Sequence, residues 1–207
     1  THCISSAASD VYKRQELSWG DMAVLYRTNA QSRSIEESLV RWGIPYIVVG
    51  GLRFYDRREI KDLLAYLRLL VNPADTVSLL RVINVPKRGI GKTTIQRLTD
   101  AANQLGIPLW DVVSDAEAVR SLGGRSARGL LQFCELLHDL RRQVQEVAPS
   151  ELIQQVMEKS GYVSELIAEG TDEAEERRRN LQELVNAALQ YQAVSYTHLT
   201  LPTICSV

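Results

Sequence analysis

The fold of this chain is indicated by one stretch of its sequence, RREIKDLLAYLRLLVNPADTVSLLRVINVPKRGIGKTTIQRL, at residues 57–98. From residue 57 to residue 70, apolar side chains recur at the three- and four-residue spacing of an amphipathic helix, which Asn72-Pro73 ends. A short apolar helix is predicted at 77–83, followed by a turn at NVPKRGIG and a helix at 93–105. The same periodicity predicts further helices at 108–114, 126–146, 150–159 and 173–193. We therefore expect an all-helical body at residues 53–194.

A different pattern precedes this body, at residues 16–52. The run MAVL at 22–25 is typical of a buried strand, a helical pattern then ends at Gly43, and YIVVGG at 46–51 predicts a second strand. Strand, helix and strand within about thirty residues are typical of a βαβ unit with parallel strands. The piece is too small for a domain of this type, so we interpret it as part of a larger α/β domain. The fold class expected for the chain is mainly α.

Composition excludes several classes of protein. The 207 residues are 45% hydrophobic and 24% charged, which is typical of a globular chain and unlike a collagen-like, mucin-like or wholly disordered one. No apolar run approaches the roughly 20 residues of a membrane span, and no membrane contact is expected.

Charge is strongly segregated along the sequence, although the net charge is only −1. Residues 16–40 hold two basic and four acidic residues, for a net charge of −2. Residues 41–97 hold eleven basic and four acidic residues, for a net charge of +7. Residues 98–194 hold nine basic and sixteen acidic residues, for a net charge of −7. One stretch is therefore suited to contact with a polyanion.

The sequence GIGKTT at 89–94 suggests a phosphate loop, but the spacing argues against it. A Walker A loop needs a glycine five residues before the glycine of GK[ST], and Pro86 stands there. It also needs a preceding strand, whereas LLRVINVP predicts a helix and a turn. A nucleotide site is therefore not expected in this turn.

A helix-hairpin-helix is the better interpretation of the same turn. Glycines permit positive φ and let backbone N–H groups approach a phosphate, while Ile90 would insert into the core. The cations Lys87, Arg88, Lys92 and Arg97 surround the turn. The expected duplex-binding residues are Lys87, Arg88, Gly89, Ile90, Gly91, Lys92 and Thr93. Such a site would contact the DNA backbone without sequence preference; the alternative is a plain glycine turn with solvated charges.

A second candidate site is YRTNAQSR at 26–33, at the end of the first predicted strand. Ligands of open α/β sheets bind beyond the carboxyl ends of the strands. Arg27 suits a phosphate oxygen, and Asn29 offers an amide to sugar, base or phosphate. The alternative is that Asn29 or Thr28 caps a helix. No nucleophile–base pair, metal cluster or carboxylate dyad is indicated, so no catalytic residue and no metal ligand is predicted.

The two ends of the sequence, residues 1–15 and 195–207, lack periodicity that connects to their neighbours. We expect both to be artefactual or disordered ends. Setting them aside leaves Cys134 as the one cysteine, which supports no disulfide framework and fits a reducing cytoplasm.

The sequence resembles the UvrD/PcrA-type superfamily 1 DNA helicases. The resemblance is carried by AVLYRTNAQSR at 23–33, GIPY at 43–46, RFYDRREIKDLLAYLRLL at 53–70 and INVPKRGIG at 83–91. It runs from Leu17 to Val194, more loosely in the later helices. It implies that residues 16–52 are a fragment of the RecA-like motor domain 2A and that residues 53–194 form a helical 2B-like domain.

The resemblance also implies a function. Arg27 and Asn29 fall on a motif that contacts single-stranded DNA, and Gly89, Ile90 and Gly91 fall on a hairpin that contacts the duplex. The parent protein is expected to be a cytoplasmic ATP-dependent 3′–5′ DNA helicase, with ATP and Mg²⁺ as cofactors, acting in DNA repair or replication. This chain is expected to be an inactive fragment that binds neither cofactor, because the ATP-site motifs are expected elsewhere in the parent.

The alternative is a free-standing helical DNA-binding or protein-interaction module without motor activity. The identity of any protein partner is not indicated by the sequence.

Overall fold

The computed structural model describes residues 18–199, with side chains described as far as residue 191. The chain divides into two compact units, Thr1–Arg57 and Arg58–Val207. The expectation for residues 1–15 lies outside the described residues, as does that for residues 200–207. The backbone at 195–199 belongs to the last helix.

Within residues 18–57, the first unit has one helix and three 3-10 turns. Helix α1 spans Ser32–Arg41, and 3-10 turns occur at Trp19–Asp21, Asn29–Gln31 and Phe54–Asp56. Gly43, at a φ of +65°, follows α1, as the sequence predicts for a helix end.

The two predicted strands are not confirmed, since no residue of the described part of this unit is in a strand. A strand exists only through hydrogen bonds to a neighbouring strand, and the segments at 22–25 and 46–51 find no such partner. Their apolar side chains are exposed instead: Leu25 is 93% exposed, Ile47 87% and Val49 89%. These are side chains that an α/β sheet would bury.

The buried part of the first unit is mostly polar. Phe54 is fully buried, and beside it Ser32, Arg33, Glu36 and Arg57 are each at most 8% exposed. Trp42, at the end of α1, is by contrast 77% exposed. The unit therefore buries three charged side chains, those of Arg33, Glu36 and Arg57, and exposes several apolar ones.

The second unit is all-helical in the part of the chain described. Its nine helices are α2 (Arg58–Val71), α3 (Thr76–Val82), α4 (Lys92–Leu105), α5 (Leu109–Ser114), α6 (Ala116–Leu122), α7 (Ala127–Gln143), α8 (Pro149–Lys159), α9 (Tyr162–Glu169) and α10 (Asp172–Leu199). None of them combines the length and the apolar character that crossing a bilayer requires.

Helix α2 forms the centre of this unit and packs against α3, α7, α8 and α10. Its apolar face is buried, with Ile60, Tyr66 and Leu69 each at most 1% exposed. The opposing helices contribute Leu79, Phe133, Val156 and Val185, all fully buried. Burial of this apolar surface is the main source of stability for the unit.

Two buried acids fix the central helix to its neighbours. Asp62 accepts hydrogen bonds from Arg81 Nε at 2.7 Å and from the Tyr162 hydroxyl at 3.2 Å. Glu59 accepts one from Asn180 Nδ2 at 2.7 Å. Because buried carboxylates need such partners, these pairs fix how α3, α9 and α10 lie on α2.

Candidate DNA interface

The turn between α3 and α4 is organised by Asn84. Its Oδ1 atom accepts hydrogen bonds from the backbone N–H of Arg88 at 2.8 Å and of Ile90 at 3.2 Å. Gly89 between them has a φ of +72°, a conformation that favours glycine. Ile90 is 2% exposed and anchors the turn in the core.

Three backbone donors lie at the start of α4. Gly91 is the N-cap residue, and the N–H groups of Gly91, Lys92 and Thr93 make no hydrogen bond within residues 18–199. All three residues are exposed. Unpaired first-turn N–H groups at the positive end of the helix dipole are suited to an anion.

The prediction of a positive φ at Gly91 is wrong. We expected both glycines to supply positive φ, but Gly91 has a φ of −80° and a ψ of 158°, which any residue adopts. A Cβ at Gly91 would meet only Thr93 Oγ1, at 3.8 Å. The lack of a side chain at Gly91 therefore affects only how closely a ligand can approach. At Gly89 it allows the backbone to adopt a positive φ.

The four predicted cations of the turn differ in where they lie. The side chains of Lys87, Lys92 and Arg97 are exposed. Arg88 is directed into the unit and is half-buried, so it does not belong to the exposed group.

Arg88 closes the turn from inside. Its Nη1 atom donates to the carbonyl oxygens of Val85 at 3.0 Å and Val82 at 3.2 Å, at the end of α3. Its Nη2 atom donates to the Tyr66 hydroxyl at 2.7 Å and to the Ser160 carbonyl at 3.2 Å. The guanidinium also lies 5.1 Å from the centre of the Phe133 ring. These contacts use the Nη1 and Nη2 donors of Arg88 within the protein, and the expectation that Arg88 contacts DNA stays a prediction.

Tyr66 is the partner of Arg88 and was missed by the sequence analysis. Its hydroxyl donates to the Val85 carbonyl and contacts that of Val82. Burial raises its pKa to about 12, so the phenol stays protonated and able to donate. No pattern in the sequence distinguishes this tyrosine from other core residues.

The start of α7 braces the turn from the other side. Ser126 Oγ donates to the Gly89 carbonyl oxygen at 2.8 Å. Gly129 lies so near the Arg88 carbonyl oxygen that a Cβ there would come within 2.4 Å of it. Residues 124–129 and the turn therefore form one packed surface.

The candidate single-strand site is a tight turn. Gln31 Oε1 accepts the N–H groups of Arg27 at 3.1 Å and Thr28 at 3.3 Å. The Asn29 carbonyl oxygen accepts from Arg57 Nη2 at 2.9 Å, and the same nitrogen donates to Ser32 Oγ at 2.7 Å. Arg27 and Asn29 are exposed.

Gln31 and Arg57 are therefore positioning residues that the sequence analysis did not identify. Gln31 lies three residues after Thr28, which is the spacing of a capping box and could have indicated its role. Arg57 comes from a distant part of the sequence, and nothing local indicates its contact.

Comparison with known proteins decides the family. The sequence matches the UvrD-like helicase C-terminal domain over residues 2–200. The chain belongs to this family. The match of this UvrD-like chain includes most of residues 1–15, which the sequence analysis set aside.

Individual relatives of the UvrD-like chain are named ATP-dependent DNA helicase PcrA. That of Leuconostoc citreum is 39% identical over 188 residues, which are 91% of this chain and 25% of the relative. Those of Staphylococcus aureus strain Mu50 and of Staphylococcus epidermidis are 39% identical over 181 residues, 87% of this chain and 25% of each relative. The chain thus spans about a quarter of the length of these relatives, and the predicted resemblance is confirmed.

In the part that the structure describes, no three His, Cys, Asp or Glu side chains are arranged to hold a metal ion.

Proposed function

We propose that this chain is the DNA-binding portion of an ATP-dependent 3′–5′ DNA helicase or translocase acting in DNA repair or replication. The helical unit binds duplex DNA through Lys87, Gly89, Gly91, Lys92 and Thr93. Arg27 and Asn29 bind single-stranded DNA. In this proposal residues 16–52 belong to motor domain 2A, and residues 53–194 form domain 2B.

The observation that carries the duplex-binding proposal is the set of unpaired N–H groups at Gly91, Lys92 and Thr93. Backbone donors at a helix start bind phosphate oxygens well. Lys87 and Lys92 add two exposed positive charges beside them. Because these donors reach the phosphate backbone and not the base edges, binding is independent of sequence.

Arg88 and Ile90, the other two residues predicted for this site, hold its backbone in place. Ile90 anchors the turn in the core, and Arg88 holds the carbonyls at the end of α3. The backbone donors are thus fixed in place before DNA arrives, which lowers the ordering cost of binding.

The single-strand proposal is supported by the exposed side chains of Arg27 and Asn29. Gln31 and Arg57 hold the backbone beneath them, so both side chains project from a fixed turn. A guanidinium suits a phosphate oxygen, and an amide can donate to sugar or base.

Two observations favour a motor protein over the free-standing module. The relatives are about four times as long as the matched segment. The exposed Leu25, Ile47 and Val49 are also what a piece of a larger α/β domain would show when its remaining strands are missing.

ATP with Mg²⁺ would supply the energy for movement in the parent protein. The residues of this chain do not fit a phosphate loop, because GIGKTT is preceded by α3 and Pro86 where a strand and a glycine are needed. We therefore expect the isolated chain to show no saturable binding of an ATP analogue at micromolar concentration. This chain's own contribution is to hold the duplex at its phosphates while Arg27 and Asn29 contact the single strand.

Fluorescence anisotropy of the full 207-residue chain with a labelled duplex tests the proposal. We expect weak binding, with Kd between about 10⁻⁶ and 10⁻⁴ M, equal for unrelated sequences. Lys92→Ala should weaken all duplexes alike and flatten the log–log salt dependence by about one unit. Lys159→Ala, on α8, is the matched control and should change neither.

Two results would overturn this proposal. One is duplex binding that does not change with salt concentration. The other is a Lys92→Ala chain whose duplex affinity equals that of the Lys159→Ala control.

The single-strand half is tested with a labelled oligonucleotide. Arg27→Ala should reduce its affinity for a single strand, whereas Arg41→Ala, an exposed arginine at the end of α1, should leave it unchanged. Equal effects of the two substitutions would remove Arg27 from the site.

A further inference from the structure

We propose that Arg125 and Arg128 form a second duplex-binding element beside the α3–α4 turn, so that the phosphate backbone is held from two sides. This inference rests on the proposed function and extends it to residues that neither the sequence analysis nor the family resemblance identified.

The first step is position. Ser126 donates to the Gly89 carbonyl at 2.8 Å and lies 3.4 Å, Oγ to Oγ1, from Thr94 on α4. Gly129 packs directly on the Arg88 carbonyl. Arg125 and Arg128 are the immediate neighbours of these two contact residues, and both are exposed. The surface they form is continuous with that of the turn.

The second step is charge. Neither Arg125 nor Arg128 forms an ion pair or a side-chain hydrogen bond within the described part of the chain. The same is true of the ammonium groups of Lys87 and Lys92. Other arginines of the unit, such as Arg81, Arg142 and Arg178, are paired with acids. Four cations without an ion pair in the described part of the chain therefore lie around one packed junction, and the one acid in contact there is Glu165, whose carboxylate accepts the Lys87 backbone N–H at 3.4 Å.

The third step is that this placement is unfavourable for stability. Positive charges near the start of a helix oppose its dipole. Among the nine helices described for the second unit, α4 and α7 are the two that have no acid in the first turn and none at the N-cap. Both helices carry cations there instead, and both starts meet at Gly89. The cations do not stabilise these helices, and a polyanion bound across them would compensate the charge.

Duplex DNA is the polyanion that this arrangement fits. Arginine guanidinium groups bind phosphate oxygens with paired donors, and the adjoining turn already offers backbone donors to the same backbone. With the two lysines alone, the log–log salt slope for duplex binding would be about −2, and with Arg125 and Arg128 included it would be about −3.5.

The test compares three variants of the full chain in anisotropy titrations over a salt series. They are Lys92→Ala, the double variant Arg125→Ala/Arg128→Ala, and the control Arg141→Ala/Arg142→Ala. The control pair lies at the other end of α7, about 20 Å away at 1.5 Å per residue. Circular dichroism confirms that each variant is folded.

We expect the Arg125/Arg128 variant to flatten the salt slope by nearly two units and to reduce duplex affinity at low salt by at least tenfold. The control should do neither. Two results would overturn this inference and leave the proposed function standing. One is a salt slope near −2 for the wild-type chain. The other is a double variant whose duplex affinity equals that of the control, while Lys92→Ala loses affinity. If neither Lys92→Ala nor the double variant loses duplex affinity, both proposals are overturned.

Discussion

Arg88 Nη2 lies 2.7 Å from the Tyr66 hydroxyl oxygen and donates a hydrogen bond to it, although Arg88 is directly preceded by the exposed Lys87. The two neighbouring cations therefore have different roles. One closes the end of α3 from inside, and the other extends into solvent beside the free N–H groups of α4. The difference can be measured by separating stability from DNA affinity.

Replacement of Arg88 by alanine should destabilise the chain, because the carbonyls of Val82, Val85 and Ser160 and the Tyr66 hydroxyl each lose one donor. We expect the free energy of unfolding to fall by about 3 kcal/mol, since each unsatisfied buried group costs about 1–3 kcal/mol. Lys87→Ala should change it by less than about 0.5 kcal/mol and should weaken duplex binding. Urea titration followed by circular dichroism measures the first quantity. Equal stability losses for the two variants would contradict the inward role of Arg88.

The two glycines of the turn should also respond differently. Gly89→Ala places a side chain at positive φ and should cost about 1–2 kcal/mol of stability. Gly91→Ala has an ordinary φ and an open surrounding, so its cost should be about 0.5 kcal/mol. Gly91→Val should nevertheless weaken duplex binding, because the side chain stands where a phosphate must approach. A Gly91→Val chain with full duplex affinity would contradict the proposed approach.

The substitution Gly129→Ala should change stability in the direction opposite to that usual for a helix. In most helices a glycine-to-alanine change stabilises by up to about 1 kcal/mol. Here the added Cβ would lie 2.4 Å from the Arg88 carbonyl oxygen, so α7 or the turn must move. Gly129→Ala should therefore destabilise the chain by about 1–3 kcal/mol. An increase in the thermal midpoint would show that the turn and α7 are not packed in this way.

Cys134 provides a probe of the core. It is 6% exposed, its thiol donates to the Val113 carbonyl at 2.9 Å, and burial raises its pKa to about 12. A raised pKa lowers the thiolate fraction, to about 10⁻⁴ at pH 8. In a chain with Cys3→Ser and Cys205→Ser, iodoacetamide should react with Cys134 only as fast as the unit opens. Reaction at the rate of a free thiol in the folded chain would contradict the burial.

The helices could largely be predicted from the sequence, because burial on one side leaves a clear period. Helix α2 was predicted at 57–70 and is observed at Arg58–Val71. Helices α6 and α9 were missed because they bury only one and two side chains, which leaves little period, whereas the similarly short α5 buries four and was predicted. The two strand predictions were not confirmed, for another reason. Val24 and Ile47 belong to a strand-like pattern, but strand formation depends on partners that the pattern does not contain.

The residue types of the candidate site could be predicted from the sequence, but the directions of their side chains could not. GIG identified the turn, and Ile90 is buried as expected. Nothing in KRGIGK shows that Arg88 points inward while Lys87 and Lys92 point outward. Asp62 likewise depends on Tyr162, which lies 100 residues away in sequence. Contacts of this kind are set by tertiary packing and leave no local signal.

The measurement that tests the central claim most directly is a titration of the isotopically labelled chain with duplex DNA, followed by backbone amide resonances. We expect the largest changes at Gly91, Lys92 and Thr93, whose N–H groups have no acceptor within residues 18–199. The amides of Arg88 and Ile90 should shift much less, because Asn84 already binds them. Large changes confined to other parts of the helical unit, with Gly91, Lys92 and Thr93 unmoved, would contradict the claim that this turn holds the duplex.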